Sequence, residues 1–305
     1  MPAARANGIE LEYEALGDAQ NPPLLMIAGL GAQLVTWDDE FCAGLAGAGF
    51  WVIRFDNRDA GLSSKLDHLG PPKLDTPAYS LADMADDAAA LLDALGLGAA
   101  HVVGASMGGM IAQQLAIRHP ARVLTLTSIM SSPGGEDVVA PTAEAAEVVF
   151  RPPAPDREAE IELSLWAARV LAGPANDLDL ERERRRVMQR IERGFHPDGT
   201  TRQLAALLST ASTRQALGRL RIPVLVVHGE DDPLVPIENG VRTAAAIPGA
   251  RLLRLPKMGH NMPPASWPVV IAAIAELATA ASVSPEASAR SAPAAVLPGR
   301  GRPRG

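Results

Sequence analysis

The stretch from His101 to Gln114, HVVGASMGGMIAQQ, passes from an apolar run through a glycine-framed serine into a helical pattern. Ser106 stands in a G-x-S-x-G pattern, between Gly104 and Gly108. The pattern alone is weak. Here, however, a predicted strand precedes the serine and a predicted helix follows it, as in turns that expose a nucleophilic serine. Such a turn strains the serine backbone, and only small residues two positions away let strand and helix approach. We therefore predict that Ser106 is a catalytic nucleophile.

The composition limits which classes of protein this chain can belong to. It has 305 residues, 47% hydrophobic and only 4% aromatic, enough for one large α/β domain with an insertion and an aliphatic core. The net charge of -7 gives no general attraction to nucleic acid or an anionic membrane. Cys42 is the only cysteine, which excludes an internal disulfide and a cysteine-based zinc site. We see neither a secretory signal nor a run approaching a membrane span, and we expect a cytoplasmic protein.

Short apolar runs predict the strands of the fold. Ile9, Leu11 and Tyr13 alternate with glutamates, which indicates a half-exposed strand near a sheet edge. The other runs are short and largely apolar, which suits strands covered on both faces, as in a parallel sheet. They lie at 24–28, 50–55, 100–104, 123–129, 224–227 and 252–255.

Helical patterns separate these runs. Ser80 and Asp83 begin one helix with a capping-box-like start, and others are predicted at 107–118, 241–247 and 267–279. This alternation predicts a doubly wound, mostly parallel α/β sheet.

One long segment interrupts the alternation, because it carries helical patterns and no convincing strand. We predict an α/β core at 1–132 and 218–281, a helical cap or lid at 133–217 that covers the C-terminal edge of the sheet, and a disordered tail at 282–305. Within the cap, a helix at 158–171 is expected to place Leu163, Trp166 and Val170 on one face. A charged helix at 181–193 is expected to use Val187, Met188 and Ile191 as its apolar stripe. Its charges indicate a solvated face rather than a basic binding patch.

A serine nucleophile needs a base, and the base needs an orienting acid. His260 follows the last predicted strand, at the sheet edge where the serine turn also points, and we predict that it is the base. Asp232 follows the penultimate strand and precedes the Pro233 turn, so we choose it as the acid, with Asp231 as the fallback. An aspartate that only caps the following turn is the alternative. The remaining histidines are His101, His119 and His228, expected to be structural, and His68 and His196, for which the sequence shows no partner.

An oxyanion hole needs two fixed N–H donors. The N–H of Met107 at the start of the helix is one candidate. The other is the N–H of Leu30, in the glycine-containing loop that follows the strand at 24–28. A plain glycine turn is the alternative for this loop.

The block HVVGASMGGMIAQQLAIRHPARV resembles bacterial carboxylesterases of the lipase/esterase and aclacinomycin methylesterase-like group, within the α/β-hydrolase superfamily. The resemblance covers about residues 8–281. The chain order Ser106, Asp232, His260 is the order expected of that superfamily.

Two loops bear on the branch of the superfamily. The segment DNRDAGLS at 56–63 resembles the turn D-x-R-G-x-G-x-S, but Asp59 replaces its first glycine, which leaves the geometry of this loop open. The loop AGLGA has neither the H-G-x-G form nor a triple glycine, which argues against the hormone-sensitive-lipase-like branch.

The resemblance implies a serine carboxylesterase that hydrolyses small to medium carboxylic esters through an acyl-enzyme, with no cofactor and no metal. A cofactor-free perhydrolase, a C–C bond hydrolase on the same triad, or a ligand-binding receptor with slow turnover are the alternatives. We expect a small-molecule ester as the partner, no nucleic acid or membrane, and a monomer or homodimer. Candidates for the substrate pocket are Gln33, Trp37, Met130 and Trp166, beside the side chains of Leu30 and Met107.

Overall fold

An eight-stranded sheet runs through the part of the chain that the computed structural model describes, residues 2–151, 154, 156–173 and 178–282. In chain order the strands are β1 Ala3–Ala6, β2 Ile9–Leu16, β3 Pro23–Ile27, β4 Trp51–Phe55, β5 Ala100–Ala105, β6 Val123–Ile129, β7 Val224–Gly229 and β8 Arg251–Leu255. Their order across the sheet is β1-β2-β4-β3-β5-β6-β7-β8. The pairs β1–β2 and β2–β4 are antiparallel, and the other neighbouring pairs are parallel. The predicted mostly parallel α/β sheet is confirmed.

The α-helices of the described residues pack on both faces of this sheet and above one of its edges. They are α1 Asp39–Gly47, α2 Leu81–Ala94, α3 Met107–Arg118, α4 Ala143–Phe150, α5 Arg157–Ala172, α6 Leu180–Gly194, α7 Pro197–Leu208, α8 Arg214–Leu217, α9 Ile237–Ala246 and α10 Trp267–Ser282. Short 3-10 helices lie at Leu34–Thr36, Asp67–Leu69, Pro120–Arg122, Gly135–Asp137 and Pro264–Ser266. The capping box that begins α2 is present, because Ser80 and Asp83 bond to each other's backbone N–H.

The central parallel strand β3 is apolar along its whole length because its side chains enter two cores, one on each face of the sheet. In β3, Leu25 and Ile27 belong to the core under α2 and α3, whereas Leu24 and Met26 belong to the core under α1 and α10. All four side chains are fully buried. Successive side chains of a strand point to opposite faces, so a strand covered on both sides shows no polar alternation.

Strand β1 was missed by sequence reasoning; it forms the edge of the sheet, and β2, predicted near an edge, is the second strand. The sequence of β1, Ala3–Ala6, has no alternating apolar pattern. Its place is fixed by backbone pairing with β2, with Ala3 opposite Glu12 and Ala6 opposite Ile9. Pairing of this kind leaves little trace in side-chain patterns.

The last helix is longer and more apolar than the sequence reading allowed. By length and composition, Pro264–Ser282 is able to cross a membrane, so the expectation that no run approaches a span is wrong for this segment. Its apolar face packs in the core with α1, through Val270, Ile274 and Leu277. Ser282, predicted as the first residue of the tail, ends this helix, and residues 283–305 lie outside the described residues.

The segment at 133–217 contains α4 to α8, and its helices differ from the predicted ones in which faces are buried. In α5 the buried residues include Ile161, Ser164 and Leu165, whereas Leu163, Trp166 and Val170 are partly buried. In α6 the predicted apolar stripe packs against α5, with Val187 buried. The charged face of α6 is not wholly solvated.

Two buried arginine–aspartate pairs join this segment to the loop after β4. Arg193 at the end of α6 donates to Asp56 at 2.5 Å, with side chains 7% and 0% exposed. Arg202 in α7 donates to both carboxylate oxygens of Asp59, at 2.9 and 3.0 Å. Asp59 has φ 65, so it adopts the left-handed conformation that glycine favours. Burial alone would raise the pKa of Asp59, but hydrogen bonds from Arg202, Leu66 and Tyr79 hold it below its ordinary value.

We predict that Arg202→Met lowers the free energy of unfolding by about 3–5 kcal/mol, because it leaves the Asp59 carboxylate buried without a counter-charge. Urea denaturation followed by circular dichroism measures the change. Arg214→Met is the matched control, because Arg214 is 62% exposed and its pair with Asp137 lies at the surface. An equal effect of both substitutions would contradict the prediction.

The pH dependence of stability follows from His101 in β5. Burial lowers the pKa of His101 to about 4. The unfolded chain then binds the proton more readily than the folded chain, so stability falls as the pH drops below about 6.5, and the loss is complete near pH 4. Between pH 7.5 and pH 5 we expect wild type to lose about 2 kcal/mol more than His101→Asn. Urea titrations at both pH values measure the difference, and identical losses would refute it.

Candidate active site

Ser106 lies in a strained turn between β5 and α3. Its backbone has φ 56 and ψ -123, a conformation that costs an L-residue about 1–3 kcal/mol. Two hydrogen bonds hold the turn: the Ser106 N–H donates to Ile129 O at 2.9 Å, and the Ser131 hydroxyl donates to Ser106 O at 2.8 Å. Residues at and just after the end of β6 therefore hold the backbone of Ser106 in this conformation.

The glycines around Ser106 are required by contacts between backbones. A methyl group added to Gly104 would lie 2.1 Å from Gly108 O. One added to Gly108 would lie 2.1 Å from Ile27 O, at the end of β3. Helix α3 therefore packs directly on the strands, which requires residues without a side chain two positions before and after the serine.

The structure brings together the three residues that the sequence singled out. His260 Nε2 lies 3.0 Å from Ser106 Oγ, and His260 Nδ1 lies 2.8 Å from Asp232 Oδ2. Both contacts are satisfied when Nδ1–H donates to the carboxylate and Nε2 accepts the serine hydroxyl. The side chains of His260 and Asp232 are 8% and 0% exposed, so this chain of hydrogen bonds is shielded from water.

Asp232 performs both tasks that the sequence left as alternatives. Its Oδ2 faces His260, while its Oδ1 accepts the N–H groups of Leu234 and Val235 at 2.9 and 2.8 Å. The turn therefore holds the carboxylate, and the second oxygen remains for the histidine. Asp232, rather than Asp231, makes this contact.

His228 is a neighbour of the acid that sequence reasoning treated only as structural. Its Nε2–H donates to Val235 O at 2.6 Å, and the same atom lies 3.7 Å from Asp232 Oδ2. Burial lowers the pKa of His228, which keeps the ring neutral at neutral pH. The turn from Asp232 to Val235 is thus fastened from two sides.

The loop of His260 is held by the end of α5, a contact that the sequence did not reveal. The His260 N–H donates to Leu171 O at 2.6 Å. A methyl group on Gly259 would lie 2.3 Å from that same oxygen, so this glycine admits the helix end. Gly259 was the only hint of this close contact in the sequence, but the residue that it contacts, Leu171, lies 88 positions away (259 − 171).

The predicted oxyanion loop lies against the serine. A methyl group on Gly29 would lie 3.3 Å from Ser106 Cβ and 3.8 Å from Ser106 Oγ. Within the described residues, the N–H groups of Leu30 and Met107 have no hydrogen-bond acceptor. Both amides are therefore available to a ligand beside Ser106. The Met107 side chain itself is buried in the core with α2.

The predicted pocket residues occupy different settings. Gln33 is buried, and its amide binds α6: it donates to Arg190 O and Gly194 O at 2.8 and 3.0 Å. Trp37 and Met130 lie in the core that contains α1 and α10, and Trp37 stacks on Phe41. Trp166 is half-buried on α5. Their role as pocket residues stays a prediction.

One group of described side chains has metal-ligand types close together: Asp59, Asp67 and His196. The Nη2 atom of Arg202 lies among them, 3.0 Å from Asp59, 2.6 Å from Asp67 and 3.1 Å from His196. The guanidinium of Arg202 thus supplies, within this group, the positive charge that a metal ion would otherwise provide. It also gives His196 the partner that the sequence did not show.

Comparisons with known proteins show the family of the chain. A model of the alpha/beta hydrolase fold matches residues 22–263. The chain belongs to the alpha/beta hydrolase family. It is 32% identical over 294 residues to the rhodomycin D methylesterase DnrP of Streptomyces peucetius, covering 90% of this chain and 97% of that protein.

Solved structures of alpha/beta hydrolases show the same fold. A hydrolase from Pseudomonas aeruginosa PA01 matches with a TM-score of 0.68 and 27% identity, over 92% of this chain and 97% of the other. The meta-cleavage product hydrolase CumD of Pseudomonas fluorescens IP01 matches with a TM-score of 0.75 and 22% identity, over 92% and 98%. The predicted superfamily, its esterase group and the prediction of a hydrolytic enzyme are confirmed.

We predict that Gly108→Ala lowers the free energy of unfolding by at least about 3 kcal/mol, because the new methyl group overlaps the backbone of β3. Gly98→Ala is the matched control, since a methyl group there meets nothing within 4 Å. It is expected to change stability by less than about 0.5 kcal/mol. Urea denaturation of both variants measures the difference, and a stable Gly108→Ala variant would disprove the close approach.

Proposed function

We propose that the protein is a serine carboxylesterase that hydrolyses small to medium carboxylic esters through a covalent acyl-enzyme. The observation that carries the proposal is the continuous chain of hydrogen bonds from Ser106 Oγ through His260 to Asp232, at 3.0 and 2.8 Å. A hydroxyl, an imidazole and a carboxylate in this arrangement form an activated nucleophile.

The proposed reaction starts with attack of Ser106 Oγ on the ester carbonyl carbon. His260 Nε2 takes the hydroxyl proton as the new C–O bond forms, and Asp232 stabilises the resulting imidazolium. His260 then gives the proton to the alkoxide oxygen, which leaves as the alcohol when the tetrahedral intermediate collapses. A water molecule repeats the sequence on the acyl-enzyme and releases the acid. No cofactor takes part in these steps.

The oxyanion of each tetrahedral intermediate is assigned to the N–H groups of Leu30 and Met107. The approach of Gly29 to Ser106, the place of Met107 next to Ser106 in the chain, and the lack of acceptors for both N–H groups among the described residues support this assignment. Met107 N–H also lies at the first turn of α3, where the helix dipole favours a negative charge. Loss of one such donor typically costs about 10²–10³ in kcat.

The similarity to the Streptomyces methylesterase supports methyl esters as substrates to test first. The match extends over nearly the whole of both proteins, including the segment at 133–217. We propose that this segment acts as the cap that excludes water and selects the ester, because α5 and α7 contact the loops around Ser106 and His260. The likeness to CumD, at 22% identity, supports the fold alone.

A panel of p-nitrophenyl esters and methyl esters tests the proposal. We expect sustained turnover by wild type and a loss of kcat of at least about 10⁴-fold in Ser106→Ala and His260→Ala, with Asp232→Asn also strongly impaired. Ser209→Ala is the matched control, because Ser209 at the end of α7 bonds to Ala206 O. It is expected to keep wild-type turnover.

Other outcomes of the panel would overturn the proposal. A single burst of product without turnover would indicate a receptor rather than an esterase. Unchanged hydrolysis by Ser106→Ala would remove the nucleophile from the mechanism altogether.

A further inference from the structure

The loop that carries Leu30 is fastened from the opposite side by a buried glutamine of α7. The Gly31 N–H donates to Gln203 Oε1 at 2.8 Å. The other end of the same amide, Gln203 Nε2, donates to Arg58 O at 2.7 Å. Gln203 is fully buried, so water does not compete for either bond. The Gln203 side chain thus connects the loop after β3 to the loop after β4 through two hydrogen bonds.

The loop after β3 forms a tight turn with Leu30 and Gly31 in its centre. Ala32 N–H donates to Gly29 O at 3.2 Å, which closes the turn, and Gly31 has φ 61. A methyl group on Gly31 would lie 2.8 Å from Thr200 Oγ1, so α7 also packs directly on the turn. Helix α7 therefore contacts the turn through a hydrogen bond and through van der Waals packing.

Two successive N–H groups of this turn differ in whether a side chain of the protein accepts them. Gln203 consumes the Gly31 N–H, while the neighbouring Leu30 N–H has no acceptor within the described residues. Oxyanion stabilisation requires donors held about 2.7–3.1 Å from the developing charge before the reaction begins. The Leu30 N–H belongs to the adjacent peptide, between Gly29 and Leu30, so a turn that shifts when the Gly31 N–H is released would lose that preorganisation even though Leu30 itself is unchanged.

We propose that Gln203 is a positioning residue that fixes the oxyanion turn at 29–32 to α7, so that the placement of α7 sets the oxyanion geometry. The proposal rests on the proposed function, because it assigns Leu30 N–H to the oxyanion. Gln203 touches neither the substrate nor Ser106 in this role. It acts through the peptide between Leu30 and Gly31.

The matched experiment compares two buried glutamines. Gln203→Leu removes both hydrogen bonds of the Gln203 amide. Gln113→Leu in α3 is the control, because Gln113 is also fully buried and bonds to Ser128 Oγ and Ser132 O at 3.3 and 3.2 Å. Both variants lose buried amide bonds, so their thermal stability is expected to fall by similar amounts.

The kinetic readouts are kcat and KM for p-nitrophenyl acetate and the rate at which a fluorophosphonate modifies the protein. The phosphoryl oxygen of that probe needs the same oxyanion donors as an ester. We expect Gln203→Leu to lower kcat and the modification rate at least tenfold relative to Gln113→Leu, with KM within about twofold. These expectations follow from a donor that acts in the transition state more than in substrate binding.

Equal rates in the two variants, or an equal rise of KM in both, would overturn the role of Gln203. If either leucine variant does not fold, Gln203→Met and Gln113→Met give the same comparison, because methionine also lacks the amide. The probe separates this inference from the proposed function. Wild type that reacts with the fluorophosphonate but hydrolyses no ester removes the proposed esterase activity, while the ratio of modification rates still tests Gln203. Wild type that does neither contradicts both.

Discussion

The close contact between α3 and the ends of β3 and β5 is the constraint on which the site depends. It leaves no room for a side chain at Gly104 or Gly108, and it forces Ser106 into a positive φ. The strain is tolerated because the sheet around it is parallel and fully buried, with Gly104 paired to Ile27 on one side and Ser128 on the other. The serine hydroxyl is thereby held at the edge where the loops after β3, β7 and β8 also emerge.

The segment at 133–217 contributes to the site through its backbone as well as its side chains. Leu171 O fixes the loop of His260, and Gln203 fixes the loop of Leu30. Buried pairs of Arg193 with Asp56 and of Arg202 with Asp59 join α6 and α7 to the loop after β4. Burying charges is costly unless each is paired, so these pairs show that the segment is packed against the loops of the site rather than merely lying beside them.

Features that depend on local pattern were predictable from the sequence, and those that depend on distant backbone contacts were not. Apolar runs and the glycine-framed serine gave the parallel strands and the place of Ser106, because burial and steric space act directly on residue type. Strand β1 was missed because Ala3–Ala6 has no alternating apolar pattern, although its backbone pairs with β2 and Ala6 packs in the core. The inward arginines of α6 were read as solvated, because Asp56, the partner of Arg193, lies 137 positions away. Likewise, the link from Gln203 to Gly31 spans 172 positions.

The central claim, that three loops meet to activate Ser106, is tested most directly by trapping the acyl group. Wild type turning over p-nitrophenyl butyrate is quenched in acid within milliseconds, digested and analysed by peptide mass spectrometry. We predict a butyryl group on Ser106, and none when His260 is replaced by alanine. A butyryl group on another residue, or an equally fast modification of Ser106 without His260, would contradict the account.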